Sequence, residues 1–127
     1  MDKKILIVDD DEFLLEMYAL KFKDSGFDVD SAKGGEETLA KLREGARPDI
    51  MLLDVVMPVM DGFEVLRIAK KENLIPKTIV VILTNLGQKE DVDKGMALGA
   101  DDYIVKAHFT PSEVVRRAVG LIESKSK

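Results

Sequence analysis

The chain has 127 residues, of which 46% are hydrophobic and 34% charged, which is enough for one compact core and too few for two comfortable domains. Its net charge of −5 opposes general attraction to nucleic-acid phosphates and to anionic lipid surfaces, so we expect no direct nucleic-acid binding. The absence of cysteine excludes disulfides and thiolate metal sites.

The first ten residues, MDKKILIVDD, carry an apolar run of only four residues that ends in acids. Such a run is too short for a secretory signal or a membrane span. We therefore expect a cytoplasmic protein that does not associate with membranes. The expected organisation is a single domain over residues 1–127, with a short polar tail at 124–127 and no output domain.

Short apolar runs alternate with longer amphipathic stretches along the chain. In chain order the runs are KILIV, FDVDS, DIMLL, TIVVIL and DYIVK, and their length and β-branched content predict strands. Four of these five runs are apolar enough for burial on both faces, which is typical of parallel strands.

Between the strands, helical spacing places apolar residues on one face in three stretches. These faces are Leu15, Tyr18 and Phe22; Val65, Leu66 and Ala69; and Val114, Ala118 and Ile122. Gly26, Asp61-Gly62 and Thr110-Pro111 are suitable stop and start signals for the helices. The alternation predicts an α/β fold, a doubly wound five-stranded parallel sheet with helices on both faces.

Polar side chains stand where four of the predicted strands end. The first strand is followed by Asp9 and Asp10, the third by Asp54, and the fourth and fifth end in Thr84 and Lys106. In open parallel sheets, ligands bind beyond the carboxyl ends of the strands, where the strand order reverses. We therefore expect these five side chains to converge on one edge of the sheet.

Each of these residues also has a purely structural interpretation. The acids from Asp9 to Glu12 could cap the first helix, Thr84 could be an ordinary strand residue, and Lys106 could be a surface lysine. Asp54 is harder to explain in this way. It lies between DIMLL and VVMPVM, where the sequence offers no local hydrogen-bond donor for a charge placed against an apolar strand.

As a group, the residues have the chemistry of a phosphoryl acceptor. Three carboxylates repel one another unless a cation lies between them, and hard oxygen ligands suit Mg²⁺ or, with the same ligands, Mn²⁺. A lysine and a threonine hydroxyl at neighbouring strand ends could hold the oxygens of a phosphoryl group. The pattern indicates an aspartyl phosphate on Asp54.

These residues belong to four segments by which the chain resembles the receiver domain of bacterial two-component response regulators, of the stand-alone chemotaxis-receiver kind. The segments are ILIVDDDE, LLDVVMPVMDG, VVILTN and LGADDYIVK, and the resemblance extends from Lys3 to about Glu123. It implies the flavodoxin-like strand order 2-1-3-4-5, which is carried over from the family. It also implies a function in phosphorelay signal transduction.

The resemblance assigns a role to each site residue. Asp54 would accept the phosphoryl group, and Thr84 and Lys106 would hold phosphoryl oxygens. Asp10 and Asp54 would bind the metal directly and Asp9 mostly through water.

The backbone carbonyl of Val56 would complete the protein ligands of the metal. Tyr103 would be the switch aromatic, turning inward when Thr84 is drawn toward the phosphoryl group. A half-buried strand aromatic without a switching role stays open for Tyr103.

The implied partners are proteins. A phosphohistidine on a sensor histidine kinase or on a phosphotransfer protein would donate the phosphoryl group. A downstream target would dock on the face formed by the fourth helix, fifth strand and fifth helix, with the chain a monomer or a phosphorylation-dependent dimer. No enzymatic activity is expected apart from self-phosphorylation and self-dephosphorylation.

Two positions depart from the family pattern. Ala107 follows Lys106 where the family usually has proline, which favours a trans peptide there. Asn85 stands where a small residue is usual, and its amide could narrow access to Asp54 or obstruct an inward switch aromatic. His108, the only histidine, is predicted to be a surface loop residue.

Other classes of protein fit the sequence less well. A non-phosphorylated interaction module of the same fold would be expected to lack the acid pair, the acceptor or the lysine, all of which are present. A haloacid-dehalogenase-type phosphohydrolase needs a second aspartate two residues after the nucleophile, where this chain has Val56. A dinucleotide-binding domain would need a glycine-rich turn where this chain has DDDE.

Overall fold

Five parallel strands form one sheet in the computed structural model, which describes residues 3–125, and their order is β2-β1-β3-β4-β5. The strands are β1 (Lys4–Val8), β2 (Asp28–Ala32), β3 (Ile50–Leu53), β4 (Ile79–Thr84) and β5 (Asp102–Val105). The fold class and strand order are as predicted, and every predicted strand boundary lies within one residue of the observed one.

Helices join the strands as right-handed parallel connections require. They are α1 (Glu12–Asp24), α2 (Gly35–Arg43), α3 (Gly62–Lys71), α4 (Lys89–Ala97) and α5 (Pro111–Lys125), with a 3₁₀ turn over Lys106–His108. The predicted apolar faces of α1, α3 and α5 are buried. Within residues 3–125, no helix combines the length and the apolar character that crossing a bilayer requires.

The helix boundaries follow the predicted signals. Asp11 caps α1 by accepting a hydrogen bond from the Leu14 N–H, and Gly26 ends that helix with a φ of 92°. At α5, Thr110 and Glu113 form a reciprocal capping box.

The residues predicted as a polar tail, 124–127, overlap the end of α5. Ser124 and Lys125 belong to the last turn of α5, and residues 126 and 127 lie outside the described residues. The ammonium of Lys125 lies 3.2 Å from a carboxylate oxygen of Asp101, and this contact stabilises the end of the helix.

Two apolar layers cover the sheet, one on each face. Along β1, Leu6 and Val8 belong to the cluster that includes α2 and α3, whereas Ile5 and Ile7 belong to the cluster that includes α1 and α5. Strands β3 and β4 are buried throughout. The prediction of burial on both faces is too generous for β5, which is half-buried because it is an edge strand with one neighbour.

Candidate functional site

Three charged side chains from different strand ends meet at the carboxyl edge of the sheet. Asp9 follows β1, Asp54 follows β3 and Lys106 follows β5. The Lys106 Nζ lies 2.7 Å from Asp9 Oδ2 and 3.1 Å from Asp54 Oδ2. The side chains of Lys106, Asp9 and Asp54 are only 9%, 3% and 8% exposed. Lys106 is therefore not a surface lysine but a cation shared by two buried carboxylates.

Backbone N–H groups hold the other oxygen of each carboxylate. Asp9 Oδ1 accepts a hydrogen bond of 3.0 Å from the Asp11 N–H, and Asp54 Oδ1 accepts one of 2.7 Å from the Val55 N–H. The expectation that Asp54 lacks a local donor is wrong. The donor is the backbone amide of the next residue, which side-chain types in a sequence do not reveal.

Burial and ion pairing act in opposite directions on this cluster. Burial raises the pKa of Asp9, an effect that hydrogen bonds from Lys106 and the Asp11 N–H oppose. Burial lowers the pKa of Lys106, but its contacts with Asp9 and Asp54 outweigh burial and place that pKa above its ordinary value. Lys106 is therefore an ammonium at neutral pH.

A third carboxylate adds to the cluster. Oxygen atoms of Asp9, Asp10 and Asp54 all lie within 4.8 Å of one another, and Asp10 is the exposed member. Val56, whose side chain is 59% exposed, lies two residues beyond Asp54 on the same loop. Oxygen-only ligands at this spacing fit a hard divalent cation such as Mg²⁺.

Replacing Lys106 with methionine is expected to lower the free energy of unfolding and to strengthen Mg²⁺ binding. Each carboxylate keeps one backbone N–H donor but loses the cation that both share, so we expect a loss of about 3–5 kcal/mol, the usual range for breaking a buried ion pair. The Lys106 ammonium then no longer competes with the metal ion for the oxygens of Asp9 and Asp54. Thermal unfolding with and without Mg²⁺ measures both effects.

The matched control for this prediction is Lys89→Met. The ion pair of Lys89 with Asp93 is largely exposed, with side chains 84% and 63% accessible. Its loss should therefore change the free energy of unfolding little. An equal gain of thermal stability from Mg²⁺ in the native chain and in Lys106→Met would contradict the prediction.

The loop from β3 to α3 passes unusually close to Asp54 at Gly62. The Gly62 N–H donates to the Val55 carbonyl at 2.9 Å, and a Cβ at Gly62 would lie 2.1 Å from the Asp54 carbonyl oxygen. Asp61 caps α3 through the Glu64 N–H at 2.9 Å. The sequence pattern identifies Asp61-Gly62 as a helix start, but not this close approach, which only the packed loop shows.

Thr84 and Tyr103 form a second group that is linked through Leu86. Thr84 is fully buried, and its Oγ1 accepts a long hydrogen bond of 3.5 Å from the Leu86 N–H. The Tyr103 hydroxyl donates to the Leu86 carbonyl at 2.6 Å. The Tyr103 ring packs on Gly95 of α4, where an added Cβ would lie 3.1 Å from the ring. Among the described residues, no hydrogen bond joins this group to the cluster of Asp9, Asp54 and Lys106.

The two positions that depart from the family pattern, Ala107 and Asn85, and the only histidine, His108, lie in the loops after β5 and β4. The peptide between Lys106 and Ala107 is trans, since the described residues contain no cis peptide bond. Ala107 and His108 are exposed in the 3₁₀ turn, and Asn85 is exposed in the loop after β4. His108 has the surface position that the sequence predicts.

The ionisation of Tyr103 is expected to be shifted to high pH. Burial raises the pKa of its phenol to about 12, from an ordinary value of 10.0. Because the folded state favours the protonated phenol, its stabilising contribution is complete below the ordinary pKa and is lost as the pH rises toward 12. The difference in ultraviolet absorbance between the native chain and Tyr103→Phe, followed against pH, should titrate near this value. A difference that titrates at the ordinary pKa would contradict the burial described.

Comparisons with known proteins agree on one family. The model of the response regulator receiver domain matches residues 5–118. The chain is 38% identical over 122 residues to the alkaline phosphatase synthesis transcriptional regulatory protein PhoP of Bacillus subtilis. It is 40% identical over 117 residues to the DNA-binding response regulator MtrA of Mycobacterium tuberculosis. These matches cover 96% and 92% of this chain but 49% of each relative, so the chain spans about half their length.

Solved structures of the same kind superimpose closely. A CheY-like response regulator receiver domain protein from Methanospirillum hungatei matches with a TM-score of 0.89 and 28% identity, over 99% of this chain and 98% of the other. The chemotaxis protein CheY4 of Vibrio cholerae matches with a TM-score of 0.86 and 32% identity, over 94% of this chain and 98% of the other.

Proposed function

Because this chain belongs to the response regulator receiver domain family, we propose that it takes a phosphoryl group onto Asp54 from a phosphohistidine of a sensor histidine kinase or of a phosphotransfer protein. The observation that carries the proposal is the cluster in which Lys106 bridges Asp9 and Asp54 beside the carboxylate of Asp10. The same cluster would accept a phosphoryl group from a small acyl phosphate.

Asp54 supplies the nucleophile in this proposal. Its Oδ1 is held by the Val55 N–H, so we assign Oδ2 as the oxygen that forms the new bond to phosphorus. The bond from phosphorus to the donor nitrogen or acyl oxygen breaks, and its electron pair leaves with the donor. Lys106, 3.1 Å from Oδ2, then moves from that oxygen to a phosphoryl oxygen.

The acidic residues would hold the metal beside the acceptor. Asp9, Asp10 and Asp54, with the backbone carbonyl of Val56, are the proposed ligands of Mg²⁺ or Mn²⁺. When bound there, the ion supplies positive charge against the repulsion between the carboxylates and an incoming phosphoryl group. Asp9 keeps its orientation through the Asp11 N–H.

Thr84 and Tyr103 are the proposed switch residues. A phosphoryl oxygen on Asp54 would attract the Thr84 hydroxyl, and this movement would break the long hydrogen bond from the Leu86 N–H. The Leu86 carbonyl is the acceptor that holds the Tyr103 hydroxyl, so Tyr103 would lose its present position. A changed surface of α4, β5 and α5 would then bind a downstream protein or a second phosphorylated copy.

Intact-mass spectrometry after incubation with acetyl phosphate tests the proposed function. The native chain is expected to gain a single phosphoryl group when Mg²⁺ is present and none when Mg²⁺ is removed by a chelator. Circular dichroism shows whether the chain is folded under both conditions. A folded chain that gains no mass would contradict the proposal and favour a docking module that is not phosphorylated.

A polar side chain at position 56 is expected to shorten the lifetime of the aspartyl phosphate. Val56 is exposed beside the acceptor and cannot orient an attacking water, and the half-buried Leu86 is equally apolar. We expect Val56→Asn, alone or with Leu86→Asn, to speed hydrolysis by about three- to tenfold, less than a well-placed general base supplies. The decay of the phosphorylated mass after removal of the donor gives the rate.

Val59→Asn is the matched control for this rate. Val59 lies on the same loop and is 94% exposed, but it is farther along the chain from the acceptor. An unchanged decay rate in Val56→Asn with Leu86→Asn, or an equal increase in Val59→Asn, would contradict the role given to these side chains.

A further inference from the structure

A cavity opens at the edge of the sheet where the strands begin, opposite the edge at which Asp54 lies. Its volume is about 430 Å³. Four separate segments each contribute a lysine to its lining: Lys3 before β1, Lys70 in α3, Lys77 before β4 and Lys125 in α5. Ile75, Pro76 and Ile79 form an apolar side of the same cavity.

The carboxylates that line this cavity are already engaged. Asp49 accepts a hydrogen bond of 2.8 Å from the Lys4 N–H. Asp101 accepts one of 2.8 Å from the Val80 N–H and pairs with Lys125 at 3.2 Å. The four lysines exceed these two aspartates by two charges, in a chain whose net charge is −5.

The other lysines of the cavity have no carboxylate partner among the described residues. In the part of the chain from residue 3 to residue 125, Lys3, Lys70 and Lys77 form no ion pair with a carboxylate. The stem of Lys70 also runs close to the backbone. It lies across Gly99, where an added Cβ would be 2.9 Å from the Lys70 Cε and 3.2 Å from its Nζ.

Helix ends explain only some of these lysines. Lys70 is in the last turn of α3 and Lys125 in the last turn of α5, where a cation is favoured by the helix dipole. Lys3 and Lys77 lie outside the helices, so the dipole gives no reason for their position beside the cavity.

We propose that this cavity binds a phosphate monoester of nucleotide size. Its two excess positive charges match the charge of a phosphate monoester, and ammonium groups bind phosphate as point charges. Its volume falls within the range of about 300–1,000 Å³ that is usual for small-molecule sites. The exposed Pro76 offers an apolar surface for the organic part of the ligand. This site is separate from the phosphoacceptor and does not depend on it.

Backbone amide NMR with adenosine monophosphate at low salt and without divalent cations tests the proposal. We expect saturable shifts at the amides of Ile75, Lys77, Thr78, Ile79 and Asp101, weaker binding of inorganic phosphate, and no binding of adenosine. Asp54→Asn should bind with the same affinity, which separates this site from the phosphoacceptor. The absence of saturable shifts at these amides, or their loss in Asp54→Asn, would overturn the proposal.

Paired variants of equal charge assign the binding to the lysines. Lys70→Gln with Lys77→Gln is expected to weaken binding by about tenfold, because two charge-assisted contacts are removed. Lys23→Gln with Lys71→Gln changes the net charge equally at residues outside the cavity and should leave the affinity unchanged. Equal affinities in the two double variants would also overturn the proposal.

Discussion

Replacing Asp54 with asparagine is expected to abolish the Mg²⁺-dependent gain of a phosphoryl group and to leave the fold intact. An amide has nearly the same shape, and its oxygen can still accept the hydrogen bond from the Val55 N–H. It is not a nucleophile toward phosphorus at neutral pH, because it lacks the charge of a carboxylate. Lys106 can keep its contact with Asp9, so the free energy of unfolding is not expected to fall.

Intact-mass spectrometry with acetyl phosphate is the measurement, and Asp24→Asn is the matched control. Asp24 is exposed at the end of α1, so its substitution removes the same charge away from the site. Asp24→Asn should gain a phosphoryl group as the native chain does. A persistent gain in Asp54→Asn would mean that another residue, such as Asp9 or Asp10, is the acceptor.

Replacing Gly62 with alanine is expected to destabilise the protein and to impair phosphorylation. The new Cβ would lie 2.1 Å from the carbonyl oxygen of Asp54 and 2.9 Å from the Val55 Cα, and both are backbone atoms that a rotamer change cannot move. We expect a loss of more than about 3 kcal/mol in the free energy of unfolding, above the usual range for an overpacked core. Alanine has the higher helix propensity by about 1 kcal/mol, so a loss cannot be attributed to propensity.

Urea unfolding of Gly62→Ala and of Gly120→Ala gives the comparison. Gly120 is in α5, where an added Cβ would have no atom within 4 Å, so this control should be neutral or slightly stabilising. Because the added Cβ would clash with the backbone of Asp54, Gly62→Ala should also slow the transfer of a phosphoryl group from acetyl phosphate. An unchanged unfolding midpoint would show that the loop can shift at little cost.

The sequence predicts the fold well because its signals are local. Strand length, β-branched content and the apolar spacing of α1, α3 and α5 each follow from the chain itself. Such spacing does not define a face for α4, because Gly95 is its single buried residue among those described. The burial of β5 is overestimated because its position at the edge of the sheet depends on the topology.

The sequence predicts which residues meet at the candidate site but not the hydrogen bonds that they form there. In a parallel sheet the carboxyl ends of the strands lie at one edge. This topology alone predicts that Asp9, Asp54 and Lys106 meet. The backbone donor to Asp54 depends on the conformation of the loop, and a sequence pattern contains no signal for it. The contact of Tyr103 with the Leu86 carbonyl spans 17 residues and depends on the pairing of β4 with β5.

Helix α4 is sparsely packed, so its displacement costs little free energy. Helix α3 buries five residues, Gly62, Phe63, Val65, Leu66 and Ala69, whereas α4 buries Gly95 alone among its described residues. Moving α4 would therefore take few of its own side chains out of the core, and the apolar surface that it uncovers would be that of Ile82 and Tyr103 beside Gly95. Couplings between sites in proteins are commonly about 1–3 kcal/mol, which is enough to shift an element held this weakly. The amides of α4 should accordingly exchange with solvent earlier than those of α3, even in the unphosphorylated chain.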